Sequence, residues 1–153
     1  MGTLNWPGLR FTEEEARSIP EIAKYLVLNS DRGDFGIVAE VVPDGAGERA
    51  EAGTGAPAVV GLTWLLFFSA ADPGYGYVAD GIPEYAIWVR EGWRRRGIGR
   101  ALTRAVVAEA RRRGLTQISL SVEDSNPSRL LYLSEGFVPV PGGEEDGVML
   151  LTL

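Results

Sequence analysis

Trp93-Arg94-Arg95-Arg96-Gly97-Ile98-Gly99-Arg100-Ala101-Leu102 sets three consecutive arginines and two glycines between a short apolar run, Tyr85-Ala86-Ile87-Trp88-Val89, and a long amphipathic segment. The run has the composition of a strand and the segment the periodicity of a helix, so the stretch is a strand-to-helix turn. Glycines there allow a tight turn and let a ligand approach bare backbone amides. The first amides of the helix have no carbonyl partner within it, and the helix dipole favours negative charge beside them. Arginines add charge-assisted hydrogen bonds that suit phosphate oxygens. The competing reading is a solvated, arginine-rich surface turn.

Composition narrows the chemistry around that turn. A chain of 153 residues with 45% hydrophobic and 24% charged residues suits one globular domain, residues 1–153. No apolar run reaches the roughly 18 to 20 residues of a membrane helix, and the N-terminus lacks the pattern of a signal peptide. These absences imply a cytoplasmic protein without a membrane partner. The chain has no cysteine and no histidine. Thiolate zinc sites, disulfides and a catalytic thiol are thereby excluded, and the commonest metal ligand and general base are missing. No metal is expected. Acid–base work falls to Asp, Glu, Tyr, Lys or the substrate.

The net charge of −6 is unevenly spread: residues 94–113 carry +7 and the remainder −13. One basic island on an acidic protein fits a small anionic ligand better than a long polyanion, which argues against a nucleic-acid partner.

Read in order, Thr12-Glu13-Glu14-Glu15 and Ser18-Ile19-Pro20-Glu21 have capping-box form and predict helices over 13–18 and 20–28. A polar turn at 29–34 leads to a strand at 35–42. A flexible Gly/Ala/Glu-rich hairpin loop is expected over 43–57. An apolar strand, in part buried on both faces, follows at 58–68. The loop 69–83 carries Pro73-Gly74-Tyr75-Gly76-Tyr77. Its tyrosines either line a substrate pocket or simply cover the sheet. After the arginine turn, Ile98, Ala101, Leu102, Ala105 and Val106 form a core-facing stripe. Arg111, Arg112 and Arg113 suit a solvated helix end, with Gly114 as its stop. A strand at 117–122, a short helix from Asn126 to about Glu135, and two strands at 137–140 and 147–153 complete a mostly antiparallel α/β (α+β) domain.

The glycines fit neither the dinucleotide fingerprint, since Leu102 stands where a third glycine belongs, nor the P-loop, since no G-K-[ST] occurs. They do match R/Q-x-x-G-x-G/A, as Arg94-x-x-Gly97-x-Gly99. About thirty residues on comes Asn126-Pro127-Ser128-Arg129-Leu130-Leu131-Tyr132-Leu133-Ser134-Glu135-Gly136-Phe137. The two in this order, with a strand between them, resemble the paired signatures of the GNAT superfamily of N-acyltransferases, in element order over residues 35–153. Ser128 stands where alanine is common.

The resemblance implies a GNAT-type mixed sheet flanked by helices, with acyl-coenzyme A in a gap between two splayed central strands. The amides around Arg94, Arg95, Arg96, Gly97, Ile98, Gly99 and Arg100 would hold the pyrophosphate. The backbone of Ile87, Trp88 and Val89 would pair with the pantetheine arm, and an N–H near Val89 would polarise the thioester carbonyl. Asn126 would lie beside the coenzyme arm. Tyr132 would protonate the departing thiolate, or else is a buried aromatic packing the last helix. Glu84 would take the amine's proton, directly or through a water, or else is a solvated carboxylate at a strand end.

The implied activity is acetyl transfer from acetyl-CoA to a primary amine of a small molecule or peptide, by direct attack in a ternary complex, with a homodimer as the larger assembly. The alternative is an acyl-CoA-binding sensor module without turnover. Members usually open with a further strand, which this sequence is expected to lack.

Overall fold

The strands of the main sheet are those whose side chains alternate between two apolar layers, and the helices are those that cover them. The computed structural model describes residues 4–6, 9–11, 13–42 and 57–153. The elements are β1 (Leu4–Trp6), β2 (Leu9–Phe11), α1 (Glu13–Ser18), α2 (Pro20–Ala23), β3 (Phe35–Val41), β4 (Ala58–Leu66), β5 (Glu84–Val89), α3 (Ile98–Arg112), β6 (Gln117–Ser121), α4 (Ser128–Ser134), β7 (Val138–Pro139) and β8 (Val148–Thr152). Six strands form one sheet in the order β3-β4-β5-β6-β8-β7. Every neighbouring pair is antiparallel except β5 and β6, which run parallel. Among the described residues no helix is long and apolar enough to cross a membrane.

One face of the sheet packs under α3 and α4. Phe35, Leu65, Tyr85, Val106, Ile118, Leu120, Tyr132, Phe137 and Met149 share that cluster. On the opposite face Trp64, Leu66 and Phe68 are buried together, with Tyr25, Leu62, Tyr77, Ala86 and Trp88 packed against them. The alternation of a strand explains the split: Tyr85 and Ile87 point to the helix face, Ala86 and Trp88 to the other.

Several expectations from sequence change in detail. The described N-terminal segments do contain strands, but β1 and β2 pair only with each other, so β3 is an edge of the six-stranded sheet. The loop expected over 43–57 and the cap at Thr12 fall mostly or wholly outside the described residues. The second helix stops at Ala23 rather than 28, because Lys24 and Tyr25 turn toward the 72–75 loop and Glu84. Ser18 does not cap it: its hydroxyl donates back to the Glu15 carbonyl, closing α1, and Ile19 occupies the cap.

The buried stripe of α3 is Leu102, Thr103, Val106 and Ala110, while Ala101 and Ala105 are exposed. A threonine can be buried there because its hydrogen bonds are satisfied. Thr103 donates to the Gly99 carbonyl at 2.8 Å, which uses its single proton, so the Tyr85 hydroxyl 2.8 Å away donates to Thr103. This chain of two hydrogen bonds ties β5 to the first turn of α3. Gly114, with φ 79°, ends that helix as expected.

Candidate functional site

Strand β5 is the spine of the site. It pairs with β4 along its whole length, from Leu66↔Glu84 to Gly61↔Val89. Its ladder with β6 has one register point, Glu84↔Ser119, where the Ser119 N–H donates to the Pro83 carbonyl at 3.0 Å. Past that point the ladder stops and a gap lies between the two parallel strands. Arg90 donates its N–H to the Val60 carbonyl at 2.8 Å. Backbone groups alternate sides along a strand, so Ile87 and Val89 present their N–H and C=O away from β4, on the gap side, and Trp88 does not. The apolar cluster contacts of Ile87 and Trp88 place their side chains on opposite faces of the sheet.

The gap leads to the arginine turn. Gly92 and Gly97 have φ of 82°, and Arg95, with φ 60°, is the one non-glycine residue of positive φ among those described. A Cβ at Gly97 would meet nothing within 4 Å. Glycine is therefore required there by backbone conformation, not by crowding. Gly97 is also the N-cap of α3, makes no side-chain cap, and no acidic residue stands in the first turn. The leading amides of a fifteen-residue helix are thus left to an outside acceptor.

Arg94, Arg95, Arg96 and Arg100 are exposed around this end. Arg94 donates to the Val89 carbonyl at 3.2 Å, and Arg96 lies 4.9 Å over the ring of Trp93. Arg100 is directed to α4, donating to Ser134 at 3.2 Å and pairing with Glu135 at 3.4 Å. Near the helix start, Ile98 and Gly99 are half-buried. A Cβ built on Gly99 would stand 3.5 Å from Leu131 and 3.9 Å from Ile87, so α4, α3 and β5 converge at this glycine.

Two further residues singled out in the sequence lie at α4. Asn126 accepts the Ser128 N–H at 2.9 Å, which shapes the start of that helix. Tyr132 is 6% exposed, edge-on to Tyr85 at 5.6 Å and to Phe137 at 5.9 Å. Burial pushes its hydroxyl up to about 12, with Ser128 pulling weakly the other way. It is protonated throughout the neutral range, a hydrogen-bond donor held in an aromatic wall.

Glu84 is not a solvated strand-end carboxylate: it is 3% exposed. It opens β5 on the face opposite Tyr132, beside Phe68 and Tyr25. The Tyr25 hydroxyl donates to Oε1 at 2.7 Å, while Oε2 is buried without a hydrogen-bond partner. Burial raises the carboxyl above its ordinary value; Tyr25, the Gly76 amide and Lys24 pull it down less strongly. Trp64 Nε1 is likewise buried and unpartnered on this face.

The 73–77 loop covers the carboxylate. A Cβ on Gly74 would fall 2.0 Å from Glu84 Oε2, and one on Gly76 would fall 2.6 Å from the β6 backbone at Leu120. Only glycine lets this loop lie so close. Tyr75 stacks on Tyr25 with centroids 6.3 Å apart, and Tyr77 packs against the Trp64 cluster.

Tyr25 is the residue that sequence reasoning passed over. It lies in a stretch read as plain helix, and nothing local announces a partner 59 positions away. Among the described residues no group of three or more acidic side chains is placed to hold a metal ion.

Residues 46–137 match the profile of the Acetyltransferase (GNAT) family. Mycothiol acetyltransferase of Thermobispora bispora is 36% identical over 80 residues, which span 52% of this chain but 26% of that protein. The GNAT domain of S. lividans PAT superposes with a TM-score of 0.60 at 19% identity, over 94% of this chain and 70% of that one. A GCN5-related N-acetyltransferase from Kribbella flavida superposes with a TM-score of 0.56 at 21% identity, over 99% and 82% of the two chains. At such identities these two structures establish the likeness of fold.

Proposed function

The chain belongs to the acetyltransferase (GNAT) family, and from that premise we propose that it moves an acetyl group from acetyl-CoA to a primary amine of a small molecule or peptide by direct attack in a ternary complex. The observation that carries this reading is the gap between β5 and β6, which opens past a single pairing point and ends at the uncapped, arginine-rich start of α3. The seat has two parts. Amides of residues 95–100, with Arg94, Arg95 and Arg96, take the pyrophosphate. The gap-side backbone of Ile87 and Val89 pairs with the extended pantetheine arm, with Trp88 and Asn126 beside it.

A thioester held in the gap has Glu84 on one face of the sheet and Tyr132 on the other. Glu84 takes a proton from the substrate's ammonium, freeing the nitrogen lone pair that attacks the thioester carbonyl, and burial raises its carboxyl above the ordinary glutamate value, which favours taking that proton. The Val89 N–H donates to the oxygen that gains charge. Tyr132 donates its proton to the departing thiolate, so the coenzyme leaves as the free thiol. The chain has no cysteine to form an acyl-thioester of its own, so proximity of donor and amine supplies much of the rate. The same reading makes residues 1–153 one transferase domain, cytoplasmic, working as a homodimer and without nucleic acid.

One observation favours a second reading, an acyl-CoA sensor without turnover: the Gly74 backbone lies directly over Glu84 Oε2. A panel of primary amines, assayed for free thiol release from acetyl-CoA, separates the two. Transfer to any member that collapses in Glu84→Gln supports the enzyme. Acetyl-CoA binding with no release above the buffer rate across the panel supports the sensor.

A further inference from the structure

Tyr25 stands outside the motifs of the sequence, yet it is the direct partner of the buried carboxylate. Its hydroxyl donates to Glu84 Oε1 at 2.7 Å and accepts the Tyr75 backbone N–H, also at 2.7 Å. A phenol has one proton. With the Tyr75 amide aimed at the oxygen, that proton is directed to the carboxylate.

The ring is fixed as well. It stacks on Tyr75 with an interplanar angle of 16° and meets Phe68 edge-on at 5.1 Å. The preceding residue, Lys24, bonds Asp72 at 2.8 Å and the Pro73 carbonyl. Two adjacent residues thus fasten the loop to the sheet, and the Gly74 backbone fits between them and Glu84.

We propose that Tyr25 is a positioning residue whose hydroxyl holds Glu84 as a carboxylate in the one orientation from which it accepts the amine's proton. This rests on the reading of Glu84 as the base. The charged or titratable groups around Glu84 are Tyr25 and Lys24 from the segment after α2, Asp72 through Lys24, and Tyr75 from the loop. In register with it, β4 presents Leu66 and β6 presents Ser119, neither of which titrates. Burial and the neighbouring carboxylate raise Tyr25 far above an ordinary phenol, so it remains a donor over the whole working range.

The test is an NMR titration of protein carrying ¹³C-labelled glutamate side chains, with the Glu84 signal identified by its loss in Glu84→Gln. Tyr25→Phe keeps the ring and deletes the hydroxyl. Its Glu84 midpoint moves up by about one pH unit, the equivalent of one hydrogen bond to a charged group. The acid limb of acetyl transfer to the fastest-reacting amine of the panel moves up with it, and acetyl-CoA affinity by calorimetry is unchanged. Lys24→Met, which removes the Asp72 contact but keeps the hydroxyl, moves the midpoint less.

Difluorotyrosine at position 25 keeps the fold and strengthens the donor, so it lowers the midpoint even if Tyr25→Phe does not fold. A midpoint that stays put or moves the other way in these proteins overturns the role of Tyr25. So does an acid limb that ignores Tyr25→Phe but vanishes in Glu84→Gln. An acid limb that survives Glu84→Gln overturns the base itself, a different failure.

Discussion

Strand β5 is six residues long, and its two ends are built in opposite ways. At the C-terminal end the chain enters a turn of exposed arginines, positive-φ glycines and uncapped amides. At the N-terminal end it starts on a carboxylate that is 3% exposed, bonded to Tyr25 and covered by Gly74. The first end is open, polar and made almost entirely from residues 89–100. The second is closed and drawn from three separate stretches of chain. An anion-binding seat needs only backbone amides and charge in one turn. A tuned base needs burial, and burial requires side chains from elsewhere in the fold.

The largest expected effect lies at the closed end. Glu84→Gln lowers acetyl transfer by roughly 10²- to 10⁴-fold, the ordinary worth of a positioned general base, and leaves acetyl-CoA affinity alone. Thiol-release kinetics and calorimetry read the two quantities. The acid limb of the pH–rate profile disappears in the same variant. If affinity falls in parallel with rate, the two ends are not separate and the contrast is wrong.

Tyr132→Phe follows, with a loss of about 10²-fold in turnover and the same coenzyme affinity. Because its hydroxyl is raised to about 12, it does not titrate near neutrality. A loss in the alkaline limb below pH 9 that disappears in Tyr132→Phe would count against this placement.

At the open end, Gly97→Val forces a β-branched residue to a φ of 82°. The strain is of order 1–2 kcal/mol, and it displaces the leading amides of α3. Acetyl-CoA binding weakens by about tenfold in calorimetry, while Glu84 titrates as before.

The smallest effect concerns stability. The Glu84 carboxyl is raised in the folded protein, so the native state holds its proton more tightly than the unfolded chain. Its favourable share is complete below the unfolded value and is lost as pH rises through the folded one. Glu84→Gln therefore melts higher than wild type at neutral pH, by about 2–4 °C for each kcal/mol relieved. The difference shrinks toward zero below the usual carboxylate range. A lower melting temperature at neutral pH would show that the ionised form is stabilising.

The same contrast explains what the sequence made legible. The turn could be read because its strand, glycines, arginines and helix are contiguous, and the positions of the main strands followed from apolar runs and alternation, whereas their order in the sheet is set by pairings between distant segments. Glu84 was visible as a candidate, but its burial was not, since Tyr25 reaches it across 59 positions and Tyr75 reaches Tyr25 across 50. The helix read to residue 28 ended at Ala23 because those long-range contacts outweighed local propensity. Thr103 was missed in the stripe of α3 because a hydroxyl is polar by type, and only the Tyr85 and Gly99 contacts make it a core residue. At three residues each, β1 and β2 are too short to show a period.

The central claim is that the gap between β5 and β6 and the turn beyond it seat an acyl-CoA. Calorimetric titration of acetyl-CoA tests it directly, run on wild type and on the triple variant Arg94→Ala, Arg95→Ala, Arg96→Ala. The account predicts one-site binding to wild type, weakened roughly 10- to 100-fold in the triple variant. Desulfo-CoA should follow the same pattern, since the turn holds phosphate and not sulfur. Equal affinity in the two proteins, or no binding to wild type, would contradict it.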